Sequence, residues 1–394
     1  MVKFHSAGES HGPGLVVLVE NMPAGVPVDA ESINKDLARR QEGYGRGGRM
    51  AIETDKVEFV AGVRWGKTTG APVAMTIENR DWKNWREKMS ADASCAGSAE
   101  PLTEVRPGHA DFPGALKYDH FDARNILERS SARETATRVA AGALAKALLS
   151  FFEIKIGSFV TSIGGIGYEW DEANLPSLAF AAEGAPLRMA DKAAEEKAIS
   201  LVDEAKAKGD TLGGAFVCFA LGLPVGLGSH VSWERRLDGK LGQALLSIPA
   251  IKGVEFGIGF QCAERPGSKV HDEIVPGGPA DARRGGVRRL SNRAGGLEGG
   301  MTNGEALWAR CAMKPIPTLM SPLKTVDMIT GEQVLASKER SDVLAVPAAA
   351  VVGEAMMALT LADVFCEKFG GDSVTELERN LDGFLAGLER RWKN

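Results

Sequence analysis

The chain has no excess of charge of either sign, no long uncharged apolar run, and no cysteines or histidines at metal-binding spacing. Against 47 Lys and Arg stand 52 Asp and Glu, a net charge of −5 over 394 residues, so general attraction to nucleic acid or to an acidic membrane is not expected. Any anion must be gathered by a local cluster. The five cysteines, Cys95, Cys218, Cys262, Cys311 and Cys366, are odd in number, far apart and never in C-x-x-C, which signals neither a disulfide framework nor a zinc site. No pair among the six histidines has ligand spacing and no H-E-x-x-H occurs, so no metal is expected. The most apolar stretch, Val343 to Phe365, is interrupted by Glu354 and Asp363 and falls short of the ~18 uncharged apolar residues of a membrane span. With Pro347 in its first turn and Gly370-Gly371 beyond its end, it predicts a buried helix. The first residues, MVKFHSAGESHG, hold no apolar core of signal-peptide length, and a reducing, cytoplasmic setting is expected.

What is present is a globular composition, 44% hydrophobic and 25% charged, which excludes disorder and coiled coil. Glycine is plentiful, 47 residues or about 12% against an average of roughly 7%, and predicts many tight turns or close backbone approaches. Strand patterns occur at Leu15–Val19, Val57–Val63, Val73–Ile77, Ile154–Ser162, Ala215–Leu221 and Val254–Phe260. Helical stripes lie between them: Ile33 and Leu37 after a capping Asp29, the Ala-rich run from Ala132 to Leu148, Leu237 to Leu245, and Leu377 to Leu388. The class is α+β or α/β.

The sequence also repeats itself. GESHGPGLVVLVENMPAG from Gly8 realigns on GDTLGGAFVCFALGLPVG from Gly209 at an offset of 201, and VEFVAG from Val57 on VEFGIG from Val254 at 197. Two related strand-helix-strand halves, about 8–63 and 209–260, therefore predict one pseudo-symmetric domain over residues 1–394. The copies differ where it matters: Glu9-Ser10-His11 faces Asp210-Thr211-Leu212. A scaffold that accepts Leu there leaves His11 as a candidate for chemistry.

Two histidines sit among turn residues, His11 in G-E-S-H-G and His109 in R-P-G-H-A-D, where a side chain can meet a ligand and exchange protons near neutral pH; a hydrogen-bonded loop histidine is the plainer alternative. RRQEGYGRGGRM sets Arg39, Arg40, Arg46 and Arg49 among four glycines, a pattern suited to phosphate or carboxylate, with a solvated loop as the alternative. In RNILERSSARETATR, Arg129 and Arg133 stand at i, i+4 around Ser130 and Ser131 at the opening of the Ala-rich helix. They suit a phosphate-bearing ligand, or pair with Glu128 and Glu134. AGVRWGKT from Ala61 resembles a P-loop, but the Gly-Ala-Pro and β-patterned run behind it predict a hairpin rather than a nucleotide-binding helix. Gly-rich SNRAGGLEGGMTNG, KPIPT from Lys314 and ERSDV from Glu339 would accommodate a planar, phosphate-tailed cofactor, although no G-x-G-x-x-G follows a strand.

Taken together and in order, these motifs resemble those of the chorismate synthases, from residue 5 to about 360. The resemblance implies an α+β fold, a β-α-β sandwich with internal pseudo-twofold repeat, usually a homotetramer. It implies a lyase of the shikimate pathway of aromatic amino acid biosynthesis that eliminates phosphate from 5-enolpyruvylshikimate 3-phosphate, with loss of a C6 hydrogen, to give chorismate. Reduced FMN is required, thought to lend an electron as phosphate leaves and to take it back. By position the family pattern implies substrate anions on Arg40, Arg46, Arg49 and Arg133. FMN is implied on Arg129, Ser130, Ser131, Pro249, Ala250, Gly299, Lys314, Pro315, Ile316, Pro317, Thr318 and Arg340. His11 matches the acid for departing phosphate, His109 the histidine that sets flavin protonation, and Asp342 the carboxylate acting through flavin N5. NADPH, if it is the reductant, would share Arg40 and Arg46. The pattern departs at Pro249, where many relatives carry Asn or Gln; proline has no amide hydrogen to offer. For Asp342, capping the following helix or pairing with Arg340 is the structural alternative. A binder of flavin or a phosphorylated metabolite without turnover is the competing class, and it would leave His11, His109 and Asp342 without a task.

Overall fold

The computed structural model describes residues 2–47, 53–339 and 341–391, apart from the side chain of Pro279. Strands β1 (Lys3–Ala7), β2 (Gly14–Glu20), β3 (Val57–Ala61) and β4 (Val73–Glu78) form one antiparallel sheet, ordered β1-β2-β4-β3. Strands β5 (Lys155–Ile163), β6 (Gly214–Leu221), β7 (Ile251–Phe256) and β8 (Leu307–Met313) form the second, ordered β5-β6-β8-β7, with the two-residue strand Ile166–Gly167 beyond β5. The helices are α1 (Ala30–Gln41), α2 (Asp111–Tyr118), α3 (Arg124–Ser130), α4 (Thr135–Phe151), α5 (Leu175–Ala182), α6 (Lys192–Lys208), α7 (Leu237–Leu246), α8 (Val346–Phe369) and α9 (Val374–Arg391).

The two sheets share one topology, and the repeat extends further than sequence matching reaches. In each half a helix, α1 or α7, joins the second and third strands, and a long helix, α4 or α8, follows the fourth. The equivalence holds to single hydrogen bonds. Thr68 donates its hydroxyl to Pro23 O, and its Oγ1 accepts from Val26 N; Thr302 does the same with Pro224 O and Leu227 N. Thr68 ends the P-loop-like segment, which is the predicted hairpin, with Val63–Arg64 paired to Lys67–Thr68. Its counterpart in the second half is the hairpin Leu297–Glu298/Met301–Thr302. At the tips Trp65-Gly66 and Gly299-Gly300 all take positive φ, the turn geometry that matches strand twist.

Asp29 caps α1 by accepting from Ser32 N at 2.8 Å, and Ile33 and Leu37 are buried, as their spacing predicts. Two expectations need correction. The run from Arg124 to Arg138 is not one helix: Ser131 is extended, its hydroxyl accepts from Arg133 N, and α3 ends before α4 begins. Small hydroxyl side chains compete in this way for backbone donors. Arg129 and Arg133 therefore do not share a helix face. The strand expected at Val254–Phe260 runs from Ile251 to Phe256 and gives way to a 3₁₀ turn at Gly259–Glu264.

The helices α4 and α8 cross between the sheets. The crossing is close because both are rich in small residues: a Cβ on Gly142 would lie 2.3 Å from Ala355 Cβ. Helix α8 is long and apolar enough to cross a membrane by length and composition, yet 83% of its most apolar window is buried in the fold. Its one buried carboxylate, Glu354, binds Arg39 of α1, Lys146 of α4 and Ser158 of β5 at 2.6–2.9 Å. Burial alone would raise that carboxyl; Lys146 and Arg39 more than reverse it and hold it ionised.

Candidate active site

A cavity of about 570 Å³ opens between the halves where α4 and α8 begin. The first half supplies Ser10 and His11 from the β1–β2 loop, Arg40 from the end of α1 and Arg46 just beyond it, and Arg129, Ser130, Ser131, Ala132, Glu134, Thr135 and Arg138 from the α3–α4 junction. The second half supplies Ile248, Pro249 and Ala250 after α7, Met313 at the end of β8 with Lys314, Ile316, Pro317 and Thr318 beyond it, and Ala348, Ala349 and Val352 of α8, with Asp342 and Ala345 just ahead of it. Six cations, Arg40, Arg46, Arg106, Arg129, Arg138 and Lys314, face three carboxylates, Glu134, Glu339 and Asp342. That imbalance favours an anionic occupant.

Each arginine is aimed by a different device. Arg40 is buried and gives Nη2 to Asp55 Oδ2 at 2.6 Å, while Gln41 bonds Glu53 O and Asp55 N and so holds that carboxylate in place. Burial lowers the Arg40 pKa, Asp55 raises it and Arg133 lowers it again, so the net shift is downward. Arg40 Nε is buried without a partner among the described residues, a donor still to be satisfied. Arg46 Nη1 meets Asp342 Oδ2 at 2.8 Å, and Asp342 Oδ1 accepts Gly47 N. Helix α8 has no side-chain cap, so Asp342 does not serve as one. Arg129 donates to the carbonyls of Ser6 and Gly8.

The two singled-out histidines lie on this wall with the same arrangement. His11 Nδ1 faces Glu128 Oε1 at 2.8 Å, and His109 Nδ1 faces Asp111 Oδ1 at 2.6 Å. Burial would raise both carboxyls, but the hydrogen bonds from their histidines, with help from Arg124 and Arg106, hold Glu128 and Asp111 below the usual carboxylate range. An ionised carboxylate only accepts, so in the His11 ring Nδ1 carries the proton; His109 Nδ1 lies between Asp111 Oδ1 and the Arg106 Nη2 donor at 3.1 Å. Nε2 has no protein partner among the described residues in either ring. Arg106 anchors the second pair, with Nε on Asp111 at 2.8 Å and Nη1 on Thr318 Oγ1 at 2.9 Å.

Of the residues singled out in sequence, His11, His109, Asp342, Arg40, Arg46, Arg129, Ser130, Ser131, Pro249, Ala250, Lys314, Ile316, Pro317 and Thr318 line the cavity. Arg133 does not. Its nitrogens are engaged behind the wall by Asp55, Asn79 and Glu78 O. Pro315 is absent from the wall, and Gly299 sits at its hairpin tip, also outside it. Arg49 and Arg340 lie outside the described residues. Sequence reasoning passed over Arg106 and Asp111, although R-P-G-H-A-D contains both, and it weighed Glu128 only as a partner for arginines.

The family model described as chorismate synthase matches residues 2–366. Curated relatives of that name include one from Pelobacter propionicus (strain DSM 2379 / NBRC 103807 / OttBd1), 55% identical over 98% of this chain and 98% of its own length. Another, from Aquifex aeolicus (strain VF5), is 52% identical over 98% and 97%. A solved structure titled "Crystal Structure of Chorismate Synthase" superposes with a TM-score of 0.80 at 42% identity, covering 99% of this chain and 98% of that one. Matched along nearly its whole length in sequence and in fold, the chain belongs to the chorismate synthase family.

Proposed function

We propose that this chain converts 5-enolpyruvylshikimate 3-phosphate to chorismate and phosphate with reduced FMN bound, as a cytoplasmic enzyme of aromatic amino acid biosynthesis. One observation carries the reading: two histidines, each with Nδ1 held by a buried carboxylate, share a single cavity with six cations. A binder of anions needs the cations only. The substrate brings a phosphate and two carboxylates, and Arg40 and Arg46 offer charge to hold them.

The wall fits a flavin. Pro249, Ala250, Met313, Ala345, Ala348 and Ala349 make an apolar shelf of mostly small side chains, flanked by Ser130, Ser131, Arg129, Lys314 and Thr318 for a phosphate tail. Ala250 takes φ +67, strained for an L residue, while its carbonyl accepts Lys314 N at 2.9 Å. Pro249 adds surface and no hydrogen bond. When bound, reduced FMN supplies transient electron density to the departing allylic phosphate. The protein's own part is acid–base. His11 would give its Nε2 proton to the leaving oxygen as the C–O bond to phosphate breaks, and the C6 hydrogen would leave as a proton, for which Asp342 beside the bound cofactor would be the final acceptor. His109 holds the protonation state of the cofactor, and its own ring is fixed by Asp111.

Chorismate formation should appear on adding the phosphorylated enol ether to the protein with chemically reduced FMN under anaerobic conditions. A second arm with NADPH and oxidised FMN asks whether the chain reduces its own flavin. Flavin binding without turnover in either arm would leave only the binding-protein reading. We also propose a homotetramer. Val217 on the outer face of the second sheet is fully buried in a cluster with Leu175 of α5, whereas Val16, its counterpart on the first sheet, is 46% exposed. Sedimentation velocity tests this.

A further inference from the structure

His11 is held on three sides. Both oxygens of Glu128 face Nδ1, at 2.8 and 3.0 Å, and Oε2 also accepts the backbone N–H of His11 at 2.8 Å. One face of the ring stacks on Trp85, centroids 3.9 Å apart and planes 25° from parallel. Glu128 is almost fully buried. Around this pair the charged groups are Arg124, whose Nη1 meets Glu128 Oε1 at 3.3 Å; Glu339, 3.5 Å from Arg124; and Lys88, over the Trp85 ring at 5.4 Å. With Arg124 sharing the carboxylate, the geometry does more to orient the ring than to strengthen it as a base.

We propose that Glu128 is a positioning residue that fixes the His11 ring with a proton on Nδ1, making Nε2 the atom that serves the cavity. The proposal rests on His11 acting as the acid for departing phosphate. As the Nε2–H bond breaks and the phosphate O–H bond forms, the ring is left neutral with its remaining proton on Nδ1, in the tautomer that Glu128 accepts from. Loss of the Nε2 proton leaves the Nδ1–H form, the one a neutral histidine in water disfavours, so a carboxylate that accepts from Nδ1 stabilises the product of the step. Carboxylates that hold a histidine tautomer elsewhere carry large kinetic effects when neutralised.

The test is the ring tautomer together with turnover. Protein with ¹⁵N-labelled histidine, the His11 signals assigned by their loss in His11→Ala, should show neutral His11 as the Nδ1–H form. Glu128→Gln leaves one oxygen for two donors, the ring and the backbone N–H, so the Nε2–H form should grow. Turnover should fall about 10²-fold or more, with KM and FMN affinity little changed, and Glu128→Asp should restore part of the rate. An Nε2–H ring in the parent overturns the proposal. So does a Glu128→Gln protein whose tautomer or turnover is unaltered. If that variant does not fold, the parent tautomer decides alone. Full turnover in His11→Ala would instead remove His11 from the chemistry, while the tautomer measurement would still report whether Glu128 fixes the ring.

Discussion

Replacing Glu354 by Gln should cost far more stability than an isosteric exchange of one oxygen for an amide nitrogen suggests. The side chain is 1% exposed and lies in a cluster of three cations, Arg39, Lys146 and Arg188, and three carboxylates, Asp36, Glu183 and Glu354. The cluster is neutral as it stands. With Gln it retains an uncompensated buried positive charge, and breaking a buried pair from one side costs about 3–5 kcal/mol. The amide can still meet Ser158 or one cation, which places the expectation towards the lower end. The effect also has a pH signature. Because the folded carboxyl is depressed below its ordinary value of 4.5, its contribution is complete above that value and is lost as pH falls through the folded one. Urea unfolding of parent and variant should therefore show a gap of about 3 kcal/mol at pH 7 that narrows on acidification below about pH 4.5. Asp55, Asp111 and Glu128 are depressed as well, but they are common to both proteins and cancel in the difference. A gap under about 1 kcal/mol at neutral pH, or one that does not narrow, would refute the placement of this charge.

His11→Ala and His109→Ala should each slow chorismate formation by roughly 10²- to 10⁴-fold, whereas Ala at His5, His120, His230 or His271 should leave it nearly intact in the same steady-state assay. Asp342→Asn should lower kcat by about 10²-fold with little change in melting temperature; a rise in KM alone would mean that Asp342 serves only to hold Arg46, 2.8 Å away. Gly142→Val should destabilise by about 3 kcal/mol or more, read by thermal melting, because its Cβ would meet Ala355 Cα at 2.4 Å; a tolerated Val would show that the α4–α8 crossing is looser than drawn.

The legible parts of the fold were those whose signal is local. Ile33 and Leu37 under Asp29, the alternating strands, and Pro347 and Gly370 around α8 each report their element from neighbouring residues. Strands β1 and β8 escaped notice: KFHSA is short and polar at alternate positions, and LWARCAM is buried by pairing partners roughly 90 residues away in chain number on β6. The break at Ser131 was hidden because no Gly or Pro marks it ahead of the Ala-rich run, and only the hydroxyl bond to Arg133 N reveals the stop. Glu354 was visible merely as an interruption of an apolar run. Its partners come from α1, α4 and β5, with Arg39 lying 315 residues away, a distance at which no spacing rule operates. The same holds for Glu128, whose link to His11 spans 117 residues.

The repeat explains why His11 has no histidine counterpart in the second half. A single cavity forms between the halves, so a residue aimed into it from one loop makes its counterpart redundant there. Ser10 and His11 face the cavity. Their counterparts by the offset of 201, Thr211 and Leu212, do not; Thr211 donates to Ile316 O at 2.7 Å and Leu212 N to Val343 O at 2.9 Å. Those two carbonyls belong to the segments that bring Lys314–Thr318 and Asp342 to the wall. The second copy of the loop thus braces those two segments while the first copy lines the cavity, and Leu212 packs against the core where His11 stacks on Trp85. The hairpins divide in the same way: both keep the threonine that stitches them to the preceding loop, while the cations and glycines at their tips differ because neither tip reaches the cavity. Selection on such a duplicated scaffold acts on two loops with one backbone geometry. An exchange of Leu212 for His would add an imidazole to the brace and nothing to the chemistry.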